Sequence, residues 1–73
     1  MNIKVIIKGA IGIRGTSAIS LSRKMGKSDG YINSIINRDN SPSVNTLEEI
    51  ANALGYDMHV VWTDRKTGAE IKL

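Results

Sequence analysis

The sequence predicts a small, mostly α-helical domain that ends in a β-hairpin, and three observations support this prediction. Apolar residues recur at helical spacing in three segments between residues 17 and 54, each followed by residues that form turns. The apolar period changes to two after Gly55, which is typical of strands. The chain has 73 residues and no cysteine, so we expect one domain without disulfide bonds.

Residues 2–14 fit either a strand or a helix. Ile3, Val5 and Ile7 alternate with other residues and are β-branched, which favours a strand. A helical stripe fits the same segment and consists of Ile3, Ile6, Ile7, Ala10 and Ile11. Asn2 is a good N-cap and a glycine follows the segment, so the pattern favours the helix, but only slightly.

A second helix is predicted over residues 17–25. One side of this helix carries the residues expected to face the core, namely Ala18, Leu21, Ser22 and Met25. Thr16 or Ser17 can cap the helix, and Gly26 is expected to end it.

A third helix is predicted over residues 29–37, after a very short connection. Ser28 is its expected N-cap, and the residues of its inner face are Tyr31, Ile32 and Ile35. Residues 37–42 then have the composition of a turn and include Pro42, the single proline of the chain.

A fourth helix is predicted over residues 44–54. Its apolar stripe consists of Val44, Leu47, Ile50, Ala51 and Leu54. Asn45 and Glu48 have the spacing of a capping box, and Ser43 is an alternative N-cap. Gly55 is expected to end the helix.

Residues 56–73 predict a β-hairpin. The apolar side of its first strand consists of Tyr56, Met58, Val60 and Trp62, and residues 64–68 form the turn. A two-stranded hairpin is only marginally stable alone, so it should pack on the helices or on another chain. We therefore expect a helical domain over residues 1–55 and a hairpin as the C-terminal element.

The charge of the chain is unevenly distributed. Residues 1–38 contain seven lysines and arginines and a single aspartate, whereas residues 39–73 contain three basic and six acidic residues. A basic half on a small domain suggests a polyanionic partner, of which nucleic acid is the commonest. A solvated basic surface explains the same charge equally well.

The chain offers little material for catalysis. It has one histidine, His59, whose neighbour Asp57 lies on the same strand face as an ordinary surface pair. Neither a cluster of metal ligands nor a phosphate-binding loop is evident, so we expect neither a metal nor a cofactor, and no enzymatic activity. No apolar run approaches the roughly 18 residues of a membrane span, and no signal peptide is evident, so we expect no membrane partner and a cytoplasmic location.

Several short motifs occur at a characteristic joint spacing in residues 2–56, about three quarters of the chain. They are Leu21-Ser22, Met25-Gly26, Ile32 with Ile35, Pro42, and Ile50-Ala51-Asn52-Ala53-Leu54-Gly55. Together they resemble the Cro and phage-repressor (XRE-like) helix-turn-helix family. The resemblance implies a four-helix lambda-repressor-like domain in which residues 2–14 form the first helix, here followed by the C-terminal hairpin.

The resemblance also implies a function, namely a sequence-specific DNA-binding transcriptional regulator that acts as a dimeric repressor. In this family the helix that corresponds to residues 29–37 lies in the major groove of double-stranded operator DNA. The implied base contacts are Asp29, Gly30, Asn33 and Ser34. The implied contacts to the DNA backbone are Ser17, Ala18, Lys27, Ser28, Tyr31, Arg38 and Asn40.

The sequence departs from the family at several of these positions. Many relatives have glutamine where this chain has Ala18 and Asp29, and Gly30 has no side chain that could read a base. Asp29 is explained more simply by the preference for acidic residues in the first turn of a helix. Direct readout would therefore depend mainly on Asn33 and Ser34, since asparagine pairs well with adenine.

Two further departures concern apolar positions. Some phage repressors pair an arginine with a glutamate at the positions of Ile11 and Ile36, so we expect Ile36 to pack in the core against Ile11. If residues 2–14 form a helix, Val5 and two glycines lie on its outer side. Ile13 and Ile19 are further apolar residues to which the predicted core assigns no place. They are either scattered surface residues or a face that contacts another protein.

The hairpin is the expected dimerisation element. Its interface residues are predicted to be Trp62, Val60, Ile71 and Leu73, with the last strand pairing with its symmetry mate. Alternatively, Trp62 and Met58 cover the base of the fourth helix in a monomer. The alternative function is a protein-binding helix-turn-helix module, such as an antirepressor or a small inhibitor of a nucleic-acid enzyme.

Overall fold

The computed structural model describes residues 2–73 and contains four helices and one antiparallel two-stranded sheet. The elements are α1 (Ile3–Ile13), α2 (Ala18–Lys24), α3 (Tyr31–Asn37), α4 (Val44–Ala53), β1 (Val61–Thr63) and β2 (Glu70–Lys72). The predicted mostly helical fold with a C-terminal hairpin is thus confirmed. Met1, the first residue of the predicted helical domain, lies outside the described residues. None of the helices in residues 2–73 is long and apolar enough to cross a lipid bilayer.

The first segment is a helix, and the strand alternative is wrong. The Asn2 side chain accepts a hydrogen bond from the Val5 backbone N–H at 3.2 Å, as expected of an N-cap. Ile7 and Ile11 are buried, whereas Val5 is 61% exposed. A half-buried strand would have placed Ile7 and Val5 on the same face, so the burial pattern follows the helical period.

The glycines predicted to end helices and to form the hairpin turn all have positive φ angles, namely Gly15, Gly26, Gly55 and Gly68. At Gly26 this conformation matters for the whole motif, because it reverses the chain between α2 and α3. The Lys27 N–H there donates to the Ser22 carbonyl at 2.9 Å, which satisfies a carbonyl at the end of α2.

The helix starts differ in part from the predicted ones. Ser17 caps α2, since its Oγ accepts from the Ser20 N–H at 3.1 Å. Helix α3 begins at Tyr31, two residues later than predicted, and has no side-chain cap from its own N-cap residue. The predicted cap by Ser28 is wrong, because it is the Ser28 carbonyl that accepts from the Tyr31 N–H, at 3.0 Å, in a turn before the helix.

Helix α4 is capped by Ser43, and the predicted capping box of Asn45 and Glu48 is wrong. The Ser43 Oγ accepts from the Thr46 N–H at 3.2 Å. Its backbone is extended, with a ψ angle of 161°, as expected for an N-cap residue that follows Pro42. Since Ser43 already occupies the cap position, Asn45 lies inside the first turn of the helix.

The core contains side chains from all four helices. Its buried residues are Ile7, Ile11, Leu21, Ile32, Ile35, Ile36, Ile50 and Leu54. Ile36 and Ile11 are both buried in this cluster, which confirms that Ile36 is a core residue. Two members of the predicted stripes, Ile6 and Val44, are more than half exposed.

The hairpin is shorter than predicted and projects from the helices. Residues 56–60 form no strand, and every residue of β1 and β2 is exposed. The two strands contact each other more than they contact any helix. The radius of gyration is 14.1 Å, against about 11 Å for a compact domain of this length, and the longest dimension is 45 Å.

Candidate nucleic-acid interface

A buried serine connects α2 to α3. The Ser22 side chain is fully buried, and its Oγ donates to the Ala18 carbonyl at 2.7 Å. The same Oγ accepts from the backbone N–H of Ile32 at 3.0 Å. Ile32 is the second residue of α3, so Ser22 supplies from the preceding helix the cap that α3 lacks. This pair of hydrogen bonds fixes the position of the start of α3 relative to α2.

Helix α3 separates its apolar and polar residues. Ile32, Ile35 and Ile36 are buried against the other helices. The two residues on which base readout was expected to depend, Asn33 and Ser34, are exposed on the opposite side. Asparagine can pair with two atoms of an adenine edge, and serine can donate to or accept from any base. The outer side of α3 is therefore polar and uncharged.

Asp29 lies before α3 and is held by an arginine of α2. The Arg23 Nε and Nη2 atoms donate to the two carboxylate oxygens of Asp29, both at 2.8 Å. These hydrogen bonds lower the pKa of Asp29 and raise that of Arg23. The expected role of Asp29 in the first turn of a helix is wrong, since it precedes that turn. No sequence pattern predicts this pair, because its contact depends on the geometry of the turn.

Gly30 and the residues before it form the connection into α3. Gly30 is the N-cap residue of α3, and Lys27 and Ser28 are exposed in the turn before it. The Lys27 Nζ lies 5.4 Å from the centre of the Tyr31 ring, within the range of a cation–π contact. Tyr31 is half-buried, whereas Lys27 is exposed. The lysine can therefore contact the ring and still be accessible to a phosphate.

The remaining expected backbone contacts lie at the two ends of the motif. Ser17 and Ala18 are at the start of α2, where the Ser17 Oγ is occupied as a helix cap and Ala18 is half-buried. Arg38 and Asn40 are exposed immediately after α3. Lys24, which is not among the predicted DNA contacts, is exposed in the last turn of α2.

A second arginine of the basic half contacts an aromatic ring. The guanidinium carbon of Arg14 lies 3.9 Å from the centre of the Tyr56 ring. This contact joins the end of α1 to the segment that follows α4. Arg14 and Arg23 are thus both engaged with other residues of the chain.

The four residues predicted for a dimer interface share one face of the hairpin. Trp62 lies opposite Ile71, and the Leu73 N–H donates to the Val60 carbonyl at 3.0 Å. Trp62, Ile71 and Leu73 are 65%, 61% and 74% exposed. The interpretation that Trp62 covers the base of α4 is therefore wrong for the single chain. Met58 does line a groove beside α4.

Other chemistry is not indicated in the described part of the chain. Residues 2–73 contain no group of three or more histidine, aspartate or glutamate side chains placed to hold a metal ion. His59 and Asp57 are both exposed.

Comparison with known proteins identifies a family for the part of the chain that contains this motif. Residues 13–61, about two thirds of the chain, match the sequence profile of a family described as helix-turn-helix. The matched range contains α2, α3 and α4, and therefore the Ser22 connection and the polar side of α3. Neither the curated proteins nor the solved structures contain a significant match to the chain.

Proposed function

This chain belongs to the helix-turn-helix family of DNA-binding regulators, of the Cro and phage-repressor type, and we propose that it is a dimeric repressor. In the proposed complex, α3 lies in the major groove of an operator and α2 crosses the DNA backbone. The action of such a protein is binding, so occupancy of the operator itself blocks transcription.

The observation that carries this proposal is the polar outer side of α3 next to exposed cations. Asn33 and Ser34 are exposed, and they are close in the chain to Lys24, Lys27 and Arg38, which are exposed as well. Lysine and arginine neutralise phosphates and release counterions, which supplies most of the affinity. Polar side chains at the groove then supply the preference for particular bases.

Asp29 affects which bases this surface can recognise. Its carboxylate would be repelled by phosphates, but Arg23 holds both of its oxygens. An aspartate that is paired in this way is a poor acceptor for cytosine. Base readout is therefore assigned chiefly to Asn33 and Ser34, and a single copy of the chain has limited specificity.

A dimer overcomes this limit by doubling the number of contacts. Two copies related by a two-fold axis read two half-sites about 34 Å apart, one helical turn of DNA. The exposed hairpin face with Trp62 and Ile71 is the proposed contact between the copies.

Binding to duplex DNA from the region upstream of the gene tests the proposal, measured by fluorescence anisotropy over a range of salt concentrations. Lys27→Ala should weaken binding to specific and unrelated duplexes by the same factor, and should reduce the log–log salt slope by about 0.9. Asn33→Ala should reduce the preference for the operator by about 5- to 160-fold, which corresponds to about 1–3 kcal/mol.

Matched controls lie elsewhere in the chain. Lys66→Ala removes the same charge from the hairpin turn, and Asn52→Ala removes an exposed asparagine from α4. Both should bind DNA like the wild type. If Lys27→Ala and Asn33→Ala also bind like the wild type, α3 is not the reading helix. Absence of any binding at low salt by folded protein would refute the proposed function.

A protein-binding module is the second candidate, and one observation favours it. Val5 and Ile13 on α1 are 61% and 78% exposed, which leaves an apolar outer side on that helix. A contact through this side would respond little to salt, whereas DNA binding through several phosphates falls steeply. The salt series above therefore distinguishes the two functions.

A further inference from the structure

An apolar groove runs between α1, α4 and the segment that follows α4. It has a volume of about 350 Å³, and the residues that define it include Ile3, Ile6, Ala10, Leu47, Tyr56 and Met58. Among the described residues that line it, Asp57 is the only aspartate, glutamate, lysine or arginine. Ile6 belongs to the core-facing stripe of α1, yet it is 53% exposed, and nothing within residues 2–73 covers it fully.

The groove is continuous with the apolar face of the hairpin. Tyr56 and Met58 line the groove, and Val60 and Trp62 follow at the same two-residue spacing. Half-buried and exposed residues alternate from Tyr56 to Val60, which places Tyr56, Met58 and Val60 on one side, and Trp62 follows two residues later in β1. Apolar residues therefore continue along the chain from the groove into the exposed hairpin.

The chain exposes more surface than a compact monomer of the same mass. The accessible surface is 5461 Å², whereas a folded monomer of 7.9 kDa has about 4,400 Å². The difference of about 1,000 Å² is close to the roughly 800 Å² per partner that a stable interface buries. The hairpin contributes to this difference, because every residue of β1 and β2 is exposed.

We propose that the groove is the binding site for the hairpin of a second copy of this chain, with Trp62 as the anchor. This inference rests on the dimer of the proposed function and specifies which surfaces of the two copies are in contact. The hairpin of each copy covers the groove of the other, so that both apolar surfaces are buried in one self-complementary contact. Tryptophan is enriched among the residues that dominate the energy of such contacts.

The surface itself is suited to this two-fold arrangement. Met58 in the groove and Trp62 on the hairpin are equally distant in sequence from Val60. When two copies lie antiparallel with the two-fold axis near Val60, Trp62 of each copy faces Met58 of the other. Four residues of extended chain span about 13 Å, so the proposed arrangement would place each hairpin over the partner's groove.

Trp62 is the single tryptophan of the chain, so its fluorescence reports directly on this contact. The experiment measures the mass of the protein by sedimentation over a range of concentrations, together with the emission maximum of Trp62. We expect a dimer in which the emission is shifted to shorter wavelength, and a return to the emission of exposed indole when dilution separates the copies.

Two variants and a matched control locate the contact. Ile6→Lys places a charge in the groove, and Trp62→Ala removes the anchor; each should raise the dissociation constant of the dimer about 30-fold or more. Ile13→Lys makes the same change on the same helix at a residue outside the groove, and should leave the dimer intact. All three substituted residues are exposed, and circular dichroism checks that the helices remain.

Three results would overturn the proposal. A protein that is monomeric at every concentration has no second copy in the groove. A dimer in which Trp62 keeps the emission of exposed indole is formed through another surface, such as direct pairing of the β2 edges. A dimer weakened equally by Ile6→Lys and Ile13→Lys does not depend on the groove. DNA binding is measured separately, so its failure refutes the proposed function without deciding this contact.

Discussion

Replacement of Ser22 by alanine tests the joint between the two helices of the motif. The change removes the acceptor of the Ile32 N–H, which lies at the buried start of α3, 3.0 Å from the Ser22 Oγ. A buried donor without an acceptor costs about 1–3 kcal/mol. Alanine favours the helical conformation of α2 by roughly 0.5 kcal/mol over serine, so the net loss of stability should be about 0.5–2.5 kcal/mol.

Ser20→Ala is the matched control, because it makes the same substitution at an exposed position of the same helix. The hydrogen bond from Ser20 to Ser17 uses the backbone N–H and survives the change. The difference between the two variants therefore cancels the helix propensity and isolates the buried hydrogen bond, at about 1–3 kcal/mol.

Thermal unfolding followed by circular dichroism at a fixed protein concentration measures this difference. For a domain of this size, about 1 kcal/mol lowers the midpoint by roughly 4–8 °C. Ser22→Ala should therefore unfold at least about 4 °C below Ser20→Ala. Equal midpoints for the two variants would refute the assignment of Ser22 as the cap of α3.

Three further predictions concern charge, capping and the core. Asp29→Asn frees Arg23 for a phosphate, so DNA binding should tighten and its log–log salt slope should steepen by about 0.9, as anisotropy titrations can measure. Pairing with Arg23 lowers the pKa of Asp29, so the stability that this pair adds is present above the pKa of Asp29 in the unfolded chain. That stability is lost as the pH falls through the pKa of Asp29 in the folded chain. The unfolding midpoints of the wild type and Asp29→Asn should therefore converge at such low pH. Ser43→Ala should lower the stability to urea by about 1 kcal/mol, while Asn45→Ala, which is not the cap, should not. Ile36→Ala should cost about 2–5 kcal/mol in the same assay, and a smaller loss than 1 kcal/mol would contradict its place in the core.

The helices could be predicted where the apolar period had only one interpretation. The pattern of α4 fits a helix alone, and a glycine marks its end. The isoleucines of α1 fit two periods, because β-branched residues three, four and two positions apart occur together. Only the resemblance to a known family decided between helix and strand, and the structure confirms the helix.

The hairpin shows what an alternating pattern does not specify. Tyr56, Met58 and Val60 are half-buried while the residues between them are exposed, so the alternation correctly predicted which side is covered. It did not predict that residues 56–60 form no strand, because a period of two arises wherever extended chain packs against a surface. Strand pairing requires a partner strand, and β2 is only three residues long.

Contacts across the turn were the least predictable part of the site. Arg23 and Asp29 are six residues apart, a spacing that neither a helix nor a strand brings together. Their contact follows from the reversal of the chain at Gly26, and the link from Ser22 to Ile32 depends on the same reversal. A sequence pattern can name residues on one element, but it does not fix how two elements meet.

Contacts made by two arginines reduce the positive charge that the first half of the chain can offer to DNA. The seven basic residues there suggested a strongly cationic surface, yet Arg23 is neutralised by Asp29 and Arg14 lies over the Tyr56 ring. The cations next to α3 that carry no such contact to a carboxylate, within residues 2–73, are Lys24, Lys27 and Arg38. Because each contact to a phosphate contributes separately to the salt dependence, a single copy has few of them. The proposed dimer on DNA is therefore supported as much by this small number of cations as by the exposed hairpin.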